Sequence, residues 1–283
     1  MKLLPLLFFA VMAAPGYANE IFSITVNPNS SLGGSCTGPG VNTSSSSPLG
    51  ASITCADAGS AGFGAASSNP GIVGAGASSH NSTGTSLPAT GRASAQFEDT
   101  GLIFSTGDPN IKQVTVSVNG NLHGSLAVSS SDSDAGAQMT MILTLNGTAL
   151  IAYSTSLADI SSNPLECHGS IGTAPPCGTT LNAAITSLEL TVPVNTPLDF
   201  VMSISALANS PFSGGSASAE FRDTFEFPLS GPVFNLPQGV TVNAPELFIV
   251  NNQFTPPIPE PATWFGAGVA AVAMLLRRAK AAV

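Results

Sequence analysis

The chain has 283 residues, only 8% of them charged, with a formal net charge of −9. All 16 acidic residues lie between Asn19 and Pro261, where the basic residues are only Arg92, Lys112 and Arg222, so this middle part carries −13. An acidic, charge-poor domain repels phosphate backbones and anionic lipid surfaces, which argues against nucleic-acid binding.

Residues 1–18 read as a secretory signal peptide. Lys2 supplies the positive start, Leu3 to Ala14 the apolar core, and Gly16-Tyr17-Ala18 the small residues before a cut. Cleavage is expected between Ala18 and Asn19. A membrane helix is excluded there, because the apolar run is too short and Pro15-Gly16 ends it.

Ile21–Val26 alternates as a first strand. From Asn27 to Thr90 the chain is rich in Gly, Ser, Ala and Pro and shows little periodicity. Residues 19–90 are therefore expected to be a Gly/Ser-rich irregular β region.

Regular strand signals begin at Arg92 and define a core over 91–252. Val114–Val118 and Leu122–Val128 alternate around Asn119-Gly120, and Met139–Leu145 and Ala149–Thr155 flank Asn146-Gly147. Both dipeptides are hairpin signals. Residues 156–180 read as a loop, followed by strands near 188–192, 198–206, 217–227, 240–242 and 247–250. Pro193, Pro197, Pro228, Pro232 and Pro237 oppose long helices. The expected fold class is all-β, an antiparallel β-sandwich or jelly roll.

The four cysteines form two local groups, Cys36 with Cys55 and Cys167 with Cys177. In an exported chain these are expected as disulfides. Three connectivities are open, and nearest-neighbour pairing, Cys36 with Cys55 and Cys167 with Cys177, is expected. A zinc site is the rival reading, opposed by the lack of any Cys-x-x-Cys.

One eight-residue stretch occurs almost twice. Ala93–Thr100 matches Ala217–Thr224 at six of eight positions. The plain reading is two similar strands, neighbours in one sheet, each with an Asp near its end making a local turn bond. The sharper one is a duplicated ligand position, for which eight residues are too short a basis.

The candidate chemistry is thin. Asp132-Ser-Asp134 offers oxygens for calcium but lacks the rest of an EF-hand loop. Glu220, Arg222 and Glu226 alternate along one strand and read as a solvated ionic ladder rather than a glycosidase pair. His80, His123 and His168 are scattered, and no Gly-x-Ser-x-Gly elbow occurs. A sugar-stacking aromatic would have to be Phe or Tyr153. No catalytic residue, metal ligand or cofactor is assigned.

The last residues carry the strongest signal. Residues 253–283 hold Pro259-Glu260-Pro261, an apolar run over 262–276, and a basic end at Arg277, Arg278 and Lys280. This order resembles a PEP-CTERM sorting signal. More weakly, Ala217 to Asn252 resembles a β-rich region that often precedes such tails. The resemblance implies processing at Pro259-Glu260-Pro261 by an exosortase in a Gram-negative bacterium that makes exopolysaccharide. It implies a transient hold in the inner membrane, then delivery to the cell surface or extracellular matrix. The physics of the run agrees with a transient hold: as a single transmembrane helix it would span about 22 Å, against a hydrocarbon core of about 30 Å. Its basic end would stay cytoplasmic.

The expected function is a non-catalytic surface or biofilm-matrix protein. The alternative is an exopolysaccharide-binding module, and an enzyme acting on polysaccharide ranks last.

Overall fold

A computed structural model describes residues 20–30, 35–36, 40–56, 59–82, 88–129, 135–158, 165–173, 177–211 and 214–256. The expected signal peptide, Asp132 and Asp134, and the whole of 257–283, with the expected sorting motif and the apolar run, lie outside them. Among the described residues, no helix is long and apolar enough to cross a membrane.

The first third supplies β1 (Glu20–Val26), β2 (Asn29–Ser30), β3 (Ser35–Cys36), β4 (Val41–Ser45), β5 (Leu49–Ala56), β6 (Ser60–Asn69) and β7 (Ile72–Asn81). Next come β8 (Ala89–Leu102), β9 (Phe104–Thr106), β10 (Gln113–Ser129), β11 (Gly136–Leu145), β12 (Thr148–Ala158) and β13 (Leu165–Ser170). The last third holds β14 (Thr180–Thr186), β15 (Leu190–Pro193), β16 (Leu198–Ser210) and β17 (Ser216–Glu226). Short strands β18 (Phe234–Asn235), β19 (Val240–Val242), β20 (Ile249–Val250) and β21 (Gln253–Phe254) follow, with one 3-10 turn at Pro245–Leu247.

These strands make two large antiparallel sheets. Sheet A runs β13-β12-β11-β16-β8-β1-β4, and sheet B runs β14-β10-β17-β7-β6-β5-β3. The expected all-β, antiparallel sandwich is what the chain forms. Alternation drives it. In β16 Phe200, Met202, Ile204, Ala206 and Ala208 point inward and are buried, while the residues between them stay partly exposed. Across the core stand Phe221, Ala219 and Ala217 of β17 and Ala75 and Ala77 of β7. Each buried Phe contributes about 1.5–3 kcal/mol by leaving water.

The Gly/Ser-rich region departs from expectation. Strands β5, β6 and β7 lie side by side in sheet B, with unbroken register from Leu49↔Ser68 through β6 and β7. In β6 the alternation is complete, but it is built from small residues. Gly62, Gly64, Ala66 and Ser68 face in, and Ala61, Phe63, Ala65 and Ser67 face out. Such a pattern has almost no hydrophobic contrast to read. The inward glycines serve close packing: a Cβ at Gly62 or Gly91 would collide with the backbone of the opposite sheet.

Nor does the core begin at residue 91. Phe22, Ile24 and Val26 of β1 are buried in the same core as Phe97 and Phe200. At its other end the fold runs past 252, because Phe254 is buried and packs edge-on against Phe227 with ring centroids 5.6 Å apart.

The two Asn-Gly signals part company. Asn146 and Gly147 both have positive φ, 50° and 73°, and form the two-residue turn between β11 and β12. Asn119-Gly120 lies in the middle of the 17-residue strand β10. There the Asn119 side-chain amide donates to the Pro232 carbonyl (3.0 Å) and to Asn235 Oδ1 (3.1 Å), so the residue ties β10 to β18. The expected loop over 156–180 is partly strand as well: β12 continues to Ala158 and β13 pairs with it.

The repeated octapeptide falls in opposite sheets, β8 in A and β17 in B, not side by side in one. Phe97 and Phe221 each enter the core from their own sheet. The Asp223 side chain lies outside the described residues.

Candidate binding face

Cys167 and Cys177 form a disulfide with Cα atoms 5.8 Å apart, pinning β13 to the segment before β14. Cys55 is also disulfide-bonded. The β3–β5 register sets the Cys36 backbone opposite it, and the Cys36 side chain lies outside the described residues.

The other singled-out groups are spread over the molecule. His168 Nε2 stands 3.3 Å from Glu166 Oε2 at the exposed edge strand β13. Tyr153 is buried, with its phenol pushed above the usual range by burial and held back by Thr155. It offers no stacking surface. Asp99 is 1% exposed, and its carboxyl is pushed up to about 6. Burial is the main cause, with the Glu246 and Asp199 charges adding to it and the Gly101 N–H opposing. That N–H donates to Asp99 Oδ1 at 2.8 Å, an Asx-type turn at the strand bulge. Among the described residues, no three His, Cys, Asp or Glu side chains are grouped to hold a metal ion.

One place gathers charge, an aromatic ring and open surface: the outer face of sheet B. It is built by a bulge in β17. Phe221 pairs with Ala75 and Phe225 with Val73, so three residues of β17 stand opposite Gly74 alone. The bulge needs that glycine, because any Cβ there would overlap the Arg222 backbone. Ser67 of β6 then donates its hydroxyl to the Arg222 carbonyl at 3.1 Å, tying the bulge across β7.

Gly76 completes the arrangement. It leaves β7 bare, and the Arg222 side chain lies across the gap; a Cβ at Gly76 would stand 3.0 Å from both Arg222 Cγ and Nε. The guanidinium carbon sits 4.7 Å from the centroid of the Phe63 ring on β6. Arg222 Nε also donates to Glu220 Oε2 at 3.0 Å. Both side chains remain well exposed, 53% and 38%. On the other side of the bulge His123 Nε2 stands 3.7 Å from Glu226 Oε1.

The expected ionic ladder of Glu220, Arg222 and Glu226 therefore does not exist as such. The bulge interrupts it, leaving Arg222 with Glu220 and passing Glu226 to His123 on β10. Phe63, absent from the sequence-based candidates, also lines a shallow trough of about 460 Å³ with Thr54, Ser78, His80, Ala127 and Ser218. A lone Phe within a Gly/Ala/Ser run was the only available signal for it. No protein-family model, curated protein or solved structure matches this chain.

Proposed function

We propose that this is an exported, non-catalytic surface or matrix protein, processed by an exosortase at Pro259-Glu260-Pro261. The observation that carries the reading is the order of its terminal segments: a signal peptide, then far downstream Pro-Glu-Pro, a short apolar run and a basic end. A disulfide-bonded, acidic all-β domain between them suits an oxidising exterior.

The reading of a non-catalytic domain rests on where its reactive groups stand. Glu220 is engaged by Arg222, Glu226 and Glu166 face histidines, and Asp99 is shut inside the fold. The domain ends close to the processing motif. Phe254 is still buried, so five residue steps, at most about 18 Å of chain, separate the core from Pro259. The folded sandwich would be held against the outward face of the inner membrane while the tail is cut.

The test is the mass of the tail-bearing chain in its native host. Glu260→Ala, or loss of the host exosortase, is expected to leave the tail attached and the protein in the inner membrane. Unchanged processing and delivery in both would overturn the assignment.

A further inference from the structure

Among the described aromatic side chains, only Phe63 and Phe248 are not buried. Phe63 alone of the two lines the trough on sheet B, and beside it the bulge delivers Arg222 and Glu220. A central strand interrupted by a bulge, with two glycines cleared from its neighbour, is a built feature.

We propose that the outer face of sheet B binds a neutral glycan strand around Phe63, Arg222 and Glu220. Arg222 covers one face of the ring, and the side of Phe63 that lines the trough supplies the apolar surface against which the C–H face of a sugar packs. Arg222 and Glu220, 3.0 Å apart, present a donor beside an acceptor, the pairing that a vicinal diol satisfies with both hydroxyls. Ser78 and Ser218 add short hydroxyls along the floor.

Charge selects the ligand class. The Arg222 charge is already balanced by Glu220, and the surrounding domain is strongly acidic, so a polyanion would meet net repulsion. Size selects a chain over a single sugar. The trough draws lining residues from β5, β6, β7, β17 and β10, a width of about 19 Å at strand spacing. The site stands independently of how the protein is sorted, so failure of either proposal leaves the other intact.

The experiment uses the purified full-length chain on an array of neutral hexose and N-acetylhexosamine oligomers beside uronate oligomers, followed by calorimetry with the best neutral hexamer. Binding to a neutral oligomer is expected, with little dependence on salt. Phe63→Ala removes the packing surface, Glu220→Gln exchanges a charged acceptor for a neutral one, and Arg222→Lys loses the planar fork held on the ring; each is expected to weaken binding about tenfold. Gly76→Val is expected to weaken it as well, by displacing Arg222 from the ring. Glu220→Gln keeps shape and exposure, so it carries the test if Phe63→Ala lowers the melting temperature. No binding to neutral oligomers, binding only to uronates that fades with salt, or neutral binding indifferent to Glu220→Gln and Arg222→Lys would each overturn the proposal.

Discussion

Asp99 shows how one buried side chain sets a property of the whole chain. It continues the inward stripe of Ala93, Ala95 and Phe97, at a place where an apolar residue would ordinarily stand. One backbone N–H from Gly101 offsets part of the burial cost, and Glu246 and Asp199 add to it. The folded carboxyl is pushed from 3.8 to about 6, so the folded state holds this proton more tightly than the unfolded one. The Asp99 contribution to stability is therefore full below pH 3.8, falls as pH rises toward 6, and is flat above. The loss amounts to about 3 kcal/mol. Asp99→Asn keeps the acceptor for Gly101 and removes the charge. It is expected to be more stable than the native chain at pH 7.5 by about 1–2 kcal/mol, the remainder offset by the buried amide protons. Urea melts of both proteins between pH 4 and 7.5 read this directly. A parallel pH dependence in the two would show that Asp99 is not the titrating group.

At the scale of elements, the two Asn-Gly dipeptides separate what local sequence settles from what packing settles. At 146–147 the flanking strands need a two-residue turn with positive φ, and Asn-Gly meets that need. Nothing lies within 4 Å of a Cβ added at Gly147, so Gly147→Ala is a clean measure of backbone conformation. It is expected to cost about 1 kcal/mol, and Gly147→Asn less, because Asn tolerates this region better. Denaturant midpoints of the two variants give the comparison. An Ala variant as stable as the native chain would mean that the turn relaxes elsewhere. At 119–120 the same letters sit inside β10, because Val114, Val116, Val118, Leu122 and Leu126 together feed one core and β17 and β18 pair along that strand.

Legibility followed hydrophobic contrast. Strands such as β11 and β16, with Met, Leu, Ile or Phe inside, were readable from period two alone. Strands β5 to β7 were not, since Gly, Ala and Ser occupy both their faces. The binding face was illegible for a different reason. Arg222 and Phe63 lie 159 residues apart, and only a bulge and two glycines on a third strand bring them together. The phenylalanines of the repeated octapeptide, Phe97 and Phe221, are core anchors facing from opposite sheets.

At the scale of the molecule, the question is whether 19–90 is an appendage or part of the body. Composition suggests an appendage. Pairing says otherwise: β1 is hydrogen-bonded along seven residues to β8, and β7 pairs with β17 at both sides of the bulge. Phe22 packs on Phe97 with ring centroids 5.2 Å apart. Removing β1 and β5–β7 would strip one side of both sheets and expose Phe97, Phe221 and the alanines between them. Such a remainder cannot bury enough surface to offset the entropy of ordering its strands. We therefore expect residues 20–256 to unfold in a single cooperative transition, with calorimetric and van't Hoff enthalpies equal. Phe22→Ala, although in the first strand, is expected to destabilise the entire fold by about 3–5 kcal/mol. Limited proteolysis during a thermal ramp checks the same point. Fragments ending near residue 90 that retain a folded partner would show two units. Simultaneous loss of protection at β1, β10 and β16 would show one. The alternating sheet contacts favour one, because no plane through the sandwich separates the first 90 residues from the rest without cutting β1–β8 and β7–β17 together.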